Sequence, residues 1–290
     1  MTFLTNRKIS FRLKFYSALG MAFAMCACAG ASRPQAGAPR GAGEPPYPVI
    51  VPDNPDRASA ALAAWATLTQ NSTSKPELEP VTGTVRGMPP GSSFYLPKVT
   101  EGPKMNDEER RESLRRFIGS QTVLVGAKLP ELSLVLQTNL ADDSTRARYE
   151  QRPFAYPLRG DYGILEITFA QDRRVTQIFS TCIPDADKYR RALRTLAPAI
   201  KTAEDAAKAV AGRAFTFTDD AGNQQTVTVG ANDDVTVREL VVYPRLRAGP
   251  QNALELHLAW EIAVGRAPSS RLIYLDAVTR EVVGTARASS

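Results

Sequence analysis

The sequence predicts an α+β protein: two antiparallel-sheet modules, each with helices packed on one face. Three observations lead there. Near the C-terminus Leu254, Leu256, Leu258, Trp260, Ile262 and Val264 alternate with Glu255, His257, Ala259, Glu261 and Ala263, a period of two that marks an extended strand with one buried face. Further upstream, "YGILEITFAQDRRVTQIFSTCI" (162–183) puts Leu165, Ile167 and Phe169 on one face. It turns at Gln171-Asp172-Arg173 and returns from Val175 to Ile183 as a hairpin. Helix starts punctuate the strands: Asn106 stands three residues before Glu109, and Thr202 three before Asp205, the spacing of N-terminal capping.

The elements follow in order. Residues 57–70, rich in alanine, form a helix with Trp65 on its apolar side, and residues 71–104 hold Pro, Gly and Ser at intervals that allow short strands and loops. The helix capped by Asn106 buries Leu114, Phe117 and Ile118 and stops at Gly119. Leu132, Leu134 and Leu136 alternate as a strand over 131–138, ahead of the hairpin. A helix over 185–196 begins at Asp185 and ends before Pro198; another over 203–213 turns Ala206, Ala209 and Val210 inward. A second hairpin turns at Asp220-Ala221-Gly222-Asn223, and strands over 235–243 and beyond complete the chain.

The N-terminus reads as an export leader. Arg7, Lys8, Arg12 and Lys14 are basic, no acidic residue precedes Cys28, and the apolar run Ala18–Ala29 is about a dozen residues long. A membrane-spanning helix needs about 20, so the run fits a signal peptide, residues 1–27. A small residue before a cysteine resembles the lipobox of bacterial lipoproteins: Ala27-Cys28 fits best, making Cys28 the lipidation site and membrane attachment an N-terminal lipid. Met25-Cys26, or ordinary cleavage after Ala29-Gly30-Ala31, are the alternatives. Residues 28–56, rich in Pro and Gly, read as a solvated tether. Loss of residues 1–27 leaves 32 basic against 30 acidic residues, a net charge of +2 rather than +6, which gives no reason to expect a nucleic-acid partner.

Catalytic chemistry finds no constellation. The chain has one histidine, whereas a thermolysin-type zinc site needs two on one helix face with a carboxylate. His257 lies mid-strand, away from any loop that could present a nucleophile. Asp142-Asp143, Asp219-Asp220 and Asp233-Asp234 sit among turn formers without calcium-loop spacing. Arg110, Arg111, Arg115 and Arg116, and Arg190, Arg191 and Arg194, read as solvated helix faces. Cys182 reads as a buried thiol, and Trp65 and Trp260 as core. The expectation is no catalytic residue, cofactor or metal.

The order of elements resembles a known family. "FAYPLRGDYGILEITFAQDRRVTQIFSTCIPD" resembles the FTP module of fungalysin/thermolysin propeptides, with Pro157, Leu158, Gly160, Leu165, Ile167, Asp172 and Val175 at matching places. "TAEDAAKAVA", "ELVVYP", "LAWEIAV" and "YLDAVTREVV" resemble the PepSY half of those propeptides, through Leu258, Ala259, Trp260, Ile262, Asp276, Ala277, Thr279, Glu281 and Val282. Residues 57–198 thus correspond to an N-terminal region with the FTP-like module and 199–290 to the PepSY-like module. Arg173 and Arg280 stand where the family carries glycine at φ > 0, a conformation costly for a side chain; either the turns change type or the copy has diverged. The resemblance implies a free-standing unit that inhibits or chaperones a secreted metalloprotease in trans, pairing through a sheet edge or face and an extended segment such as 285–290. The alternative is a structural or adaptor module of an envelope complex.

Overall fold

The computed structural model describes residues 47–50, 55–70, 73–99, 105–218, 223–230, 233–247, 252–265 and 270–287. The leader, Cys26, Cys28, Ala31 and most of residues 28–56 lie outside them, as do Asp219 and the turn residues 220–222. The fold is α+β with antiparallel sheets.

The first elements are β1 (Val49–Ile50), α1 (Pro55–Leu68), β2 (Glu77–Leu78), β3 (Val85–Gly87), β4 (Phe94–Tyr95), α2 (Asp107–Ser120) and α3 (Thr122–Val125). Asn106 Oδ1 accepts the Glu109 N–H at 2.8 Å, so the capping spacing sets the start of α2. The helix runs one residue past Gly119. Its face of Leu114, Phe117 and Ile118 is fully buried, against a five-stranded antiparallel sheet ordered β4-β8-β7-β6-β5. The other strands of that sheet are β5 (Leu132–Asn139), β6 (Thr145–Gln151), β7 (Ile164–Phe169) and β8 (Arg174–Ser180). Leu165, Ile167 and Phe169 join Ala147, Val175 and Ile178 in this core. Trp65 from α1 meets Phe94 edge-on at 5.9 Å and donates its indole N–H to the Ser74 carbonyl at 3.0 Å.

The expected alternation breaks in β5. Leu134 pairs with Tyr149 but Leu136 with Arg148, so Val135 is an extra residue in a β-bulge. Leu132 packs on the core, Leu134 shares the Tyr149 side, and Leu136 swings to the face of Arg148.

The remaining elements are α4 (Asp187–Thr195), α5 (Ala203–Val210), β9 (Ala214–Thr218), β10 (Gln224–Thr228), β11 (Val235–Arg247), β12 (Ala253–Val264), β13 (Arg271–Asp276) and β14 (Val282–Arg287). Thr202 caps α5 by accepting the Asp205 N–H at 3.1 Å. β12 pairs with β11 along one edge, and with β13 and β1 along the other. Its Leu/Ile/Trp face needs more cover than α5 supplies. Twelve strand residues span about 40 Å, whereas an eight-residue helix spans about 12 Å. Ala206 and Val210 of α5 cover Ile262 and Val264, and Leu193 and Leu196 from α4 and its end cover Leu254, Leu256 and Leu258. The apolar cover therefore crosses residue 198.

Three findings depart from the sequence reading of β12 and its surroundings. The Glu/His/Ala face of β12 is buried as well, because β11 and β14 approach each other and roll the sheet around Val241, Ala259, Ala263, Leu272, Tyr274 and Val283. Gly284 makes the roll close enough: a Cβ there would overlap the Tyr243 ring and hydroxyl. Residues 47–50, within the stretch read as a solvated tether, instead form β1, with Tyr47 and Ile50 buried. Thr285–Arg287, read as part of a tail, belong to β14.

The loop carrying Pro157, Leu158 and Gly160 joins the two sheets. Leu158 bridges Val242 in parallel; the Val242 N–H donates to the Pro157 carbonyl at 2.8 Å, and the Arg159 N–H to the Val242 carbonyl at 3.0 Å.

Candidate functional site

β5 is the terminal strand of its sheet. One side pairs with β6, and the other has no partner among the described residues. Its sequence, LSLVLQTN, carries no charge, and it exposes three consecutive apolar residues: Leu134 at 39%, Val135 at 40% and Leu136 at 53%. Natural edge strands are ordinarily blunted with lysine, proline or shortness. Here only the bulge at Val135 interrupts the row of N–H and C=O groups that no described residue pairs with. The opposite edge strand, β4, has two residues and offers little to pair with.

His257 is buried. Its Nδ1 lies 2.6 Å from Asp276 Oδ2 and its Nε2 3.4 Å from Glu255 Oε2. Tyr47 O–H donates to the same Asp276 oxygen at 2.8 Å, and its ring lies 4.1 Å from the imidazole. The other Asp276 oxygen accepts the N–H groups of Val278 and Thr279 at 2.7 and 2.9 Å. Burial opposes a charged imidazole, but the hydrogen bond to Asp276 and the neighbouring Glu255 carboxylate outweigh it and raise His257 above its ordinary value. Asp276, likewise opposed by burial, is held below its ordinary value by His257 and the two backbone N–H groups. Both ring nitrogens face carboxylates, so the imidazole stands as an ion-pair centre and holds no nucleophile.

The other residues singled out in the sequence are dispersed. Asp142 accepts the Ser144 N–H and O–H at 3.2 and 2.6 Å, which lower its carboxyl. Asp233 accepts the Gly230 N–H at 2.7 Å. Both are turn interactions. The basic face of α2 is internally paired, through Arg110–Asp107 at 3.2 Å, Arg111–Glu108 at 3.9 Å, and Arg115 and Arg116 with Glu112 at 2.7 Å. The two arginines lower Glu112 to about 2. Arg190 donates to the Pro153 carbonyl, while Arg191 and Arg194 are exposed. Trp260 donates to the Ile200 carbonyl at 3.1 Å. Cys182 is buried, and burial pushes its thiol up to about 12.

Arg173 and Arg280 both keep the left-handed backbone, at φ 73° and 65°. Arg173 has a reason to be there: its guanidinium reaches Glu109 at 2.8 Å, with side-chain exposures of 12% and 1%. Arg280 is exposed.

Two sites were not legible from the sequence. One is the Tyr47–His257–Asp276–Glu255 cluster, for which Asp276 in the D-A-x-T motif was the available signal. The other is Arg159, between motif residues Leu158 and Gly160. It grips Glu261 at 3.1 Å and Glu239 at 2.6 Å, while Arg238 reaches Glu261 at 3.2 Å.

No family model and no curated protein matches the sequence. Among solved structures, the Bacillus megaterium YpeB C-terminal domain is similar at 10% identity and a TM-score of 0.31, over 80% of this chain and 97% of that one.

Proposed function

We propose that this chain is a non-catalytic, propeptide-like FTP–PepSY unit of the bacterial envelope. It is lipid-anchored at Cys28 and binds protein by adding a partner's extended segment to β5. By resemblance, the partner is a secreted metalloprotease, inhibited or chaperoned in trans. The observation that carries this reading is the uncharged β5 edge, unpaired among the described residues, with Leu134, Val135 and Leu136 exposed. Strand addition draws affinity from main-chain hydrogen bonds and specificity from alternate side chains. The bulge puts Leu134 and Leu136 on opposite faces, so an incoming strand meets an apolar residue on each.

The test titrates the full-length chain, in mild detergent, against a panel of secreted metalloproteases, with Leu136→Lys beside it. Leu136 is exposed, so the charge leaves folding intact and blunts the edge. Inhibition or capture by the parent chain, weakened at least tenfold in Leu136→Lys, supports the reading. Undiminished protease activity with micromolar protein overturns inhibition, and equal capture by both chains overturns the β5 site.

A further inference from the structure

The segment at Tyr47–Ile50 is the first described stretch of chain and lies within the region predicted as a tether, and only a few backbone bonds pair it to the body. Two residues pair, Val49 with Glu255 and Ile50 with Leu254, and the Leu256 N–H donates to the Pro48 carbonyl at 2.9 Å. β13 covers that edge of β12 only from Ala259 to Val264. At Leu254–Leu256 the cover is the 47–50 segment, and the Ala277 N–H donates to the Leu258 carbonyl at 2.8 Å. Beyond these bonds Ile50 packs into the apolar core, and Tyr47 adds a polar anchor: its O–H shares an Asp276 oxygen with His257 and its ring lies on the imidazole.

The cluster is poised around one proton. A neutral imidazole donates from one nitrogen only, yet each nitrogen of His257 faces a carboxylate. Nδ1 bonds Asp276, whereas Nε2 lies 3.4 Å from Glu255 without a hydrogen bond; the imidazolium is attracted to both carboxylates, while the neutral ring turns a lone pair toward one of them. The groups facing His257 come from every neighbouring element: Tyr47 from the segment, Tyr243 opposite it on β11, Glu255 on its own strand, Asp276 at the end of β13, and Glu281 from the following turn, which acts on Tyr47. Arg247 holds the far oxygen of Glu255 at 2.8 Å, and Arg245 lies opposite Glu255 in register.

We infer that Tyr47–Ile50 is a pH-gated latch: the His257 imidazolium, set between Asp276 and Glu255, holds the segment down, and its loss frees the β12 edge at Leu254–Leu256. This is independent of the β5 reading. His257 lies above its ordinary value when folded, so its hold is complete below that ordinary value and fades as pH rises through the raised one. Asp276 lies below its ordinary value; its hold is complete above that value and fades as pH falls through the lowered one. Burial and Asp276 keep the Tyr47 phenol protonated throughout. The latch is closed between these limits and opens on both sides.

His257 is the single histidine of the chain, so its ring titration is read by NMR without assignment ambiguity. The Leu256 amide reports the latch, and the Val242 amide, bonded to Pro157, reports the rest of the fold. Hydrogen exchange of both is measured against pH in the full-length chain. The expected result is a Leu256 protection factor that falls at least tenfold above the measured His257 pKa, and again at acid pH, while that of Val242 holds. In His257→Gln the alkaline step vanishes and Leu256 is already about tenfold less protected at neutral pH. Tyr47→Phe leaves His257 and Asp276 in place, lowers Leu256 protection several-fold and keeps the step, which tests the latch should His257→Gln fail to fold. The inference is overturned if Leu256 and Val242 lose protection together, if Leu256 shows no alkaline step, or if the step survives in His257→Gln.

Discussion

Replacing Arg173 and Arg280 separately by glycine has opposite effects on stability. The two residues share a left-handed backbone, and each stands where the resembling family carries glycine. Relief of that conformation contributes about 1 kcal/mol per site. At Arg280 nothing offsets the relief, since the side chain is exposed, so Arg280→Gly stabilises by about 1 kcal/mol. At Arg173 the guanidinium sits 2.8 Å from Glu109, whose side chain is 1% exposed. Removing one member of a buried pair costs about 3–5 kcal/mol, because the other charge stays desolvated. Subtracting the backbone relief leaves Arg173→Gly destabilised by about 2–4 kcal/mol. Urea unfolding followed by circular dichroism measures both, with the double variant Arg173→Gly/Glu109→Gln recovering most of the loss. Arg173→Gly equal to or more stable than the parent would refute the reasoning, since the pair would then contribute nothing beyond strain.

Three further outcomes follow from the geometry. Arg159→Ala removes bonds to Glu239 and Glu261; with Arg238 still on Glu261, the loss is about 1–2 kcal/mol, and faster exchange of the Val242 amide localises it to the junction of the sheets. Gly284→Ala forces a Cβ into Tyr243 and lowers stability by about 1–3 kcal/mol, with Tyr243→Leu rescuing it in thermal melts. Cys182, buried with its thiol raised to about 12, escapes iodoacetamide at pH 8 in the native chain and is alkylated in urea. Mass spectrometry of its peptide reads this, and native labelling at the denatured rate would contradict the burial.

How much of this was legible beforehand depended on how local the physics is. The Asn106 and Thr202 caps rest on contacts within a few residues, so α2 and α5 could be read directly. The 162–183 hairpin was equally readable because its inward face, Leu165, Ile167 and Phe169, repeats every second residue. Val135 carries no local mark of a bulge. Its register is set by β6, so the displacement of Leu136 to the solvent face, which gives the candidate edge its character, was hidden.

By itself, then, the sequence determined the α+β class, the caps and the hairpin faces, since each follows from backbone sterics and short-range periodicity. Only the tertiary structure decided that the polar face of β12 is buried, that α4 completes its apolar cover, and that Tyr47 meets His257 and Asp276. Those outcomes depend on the roll of the sheet and on contacts between residues up to 229 positions apart, where burial and charge pairing fix what no local pattern encodes.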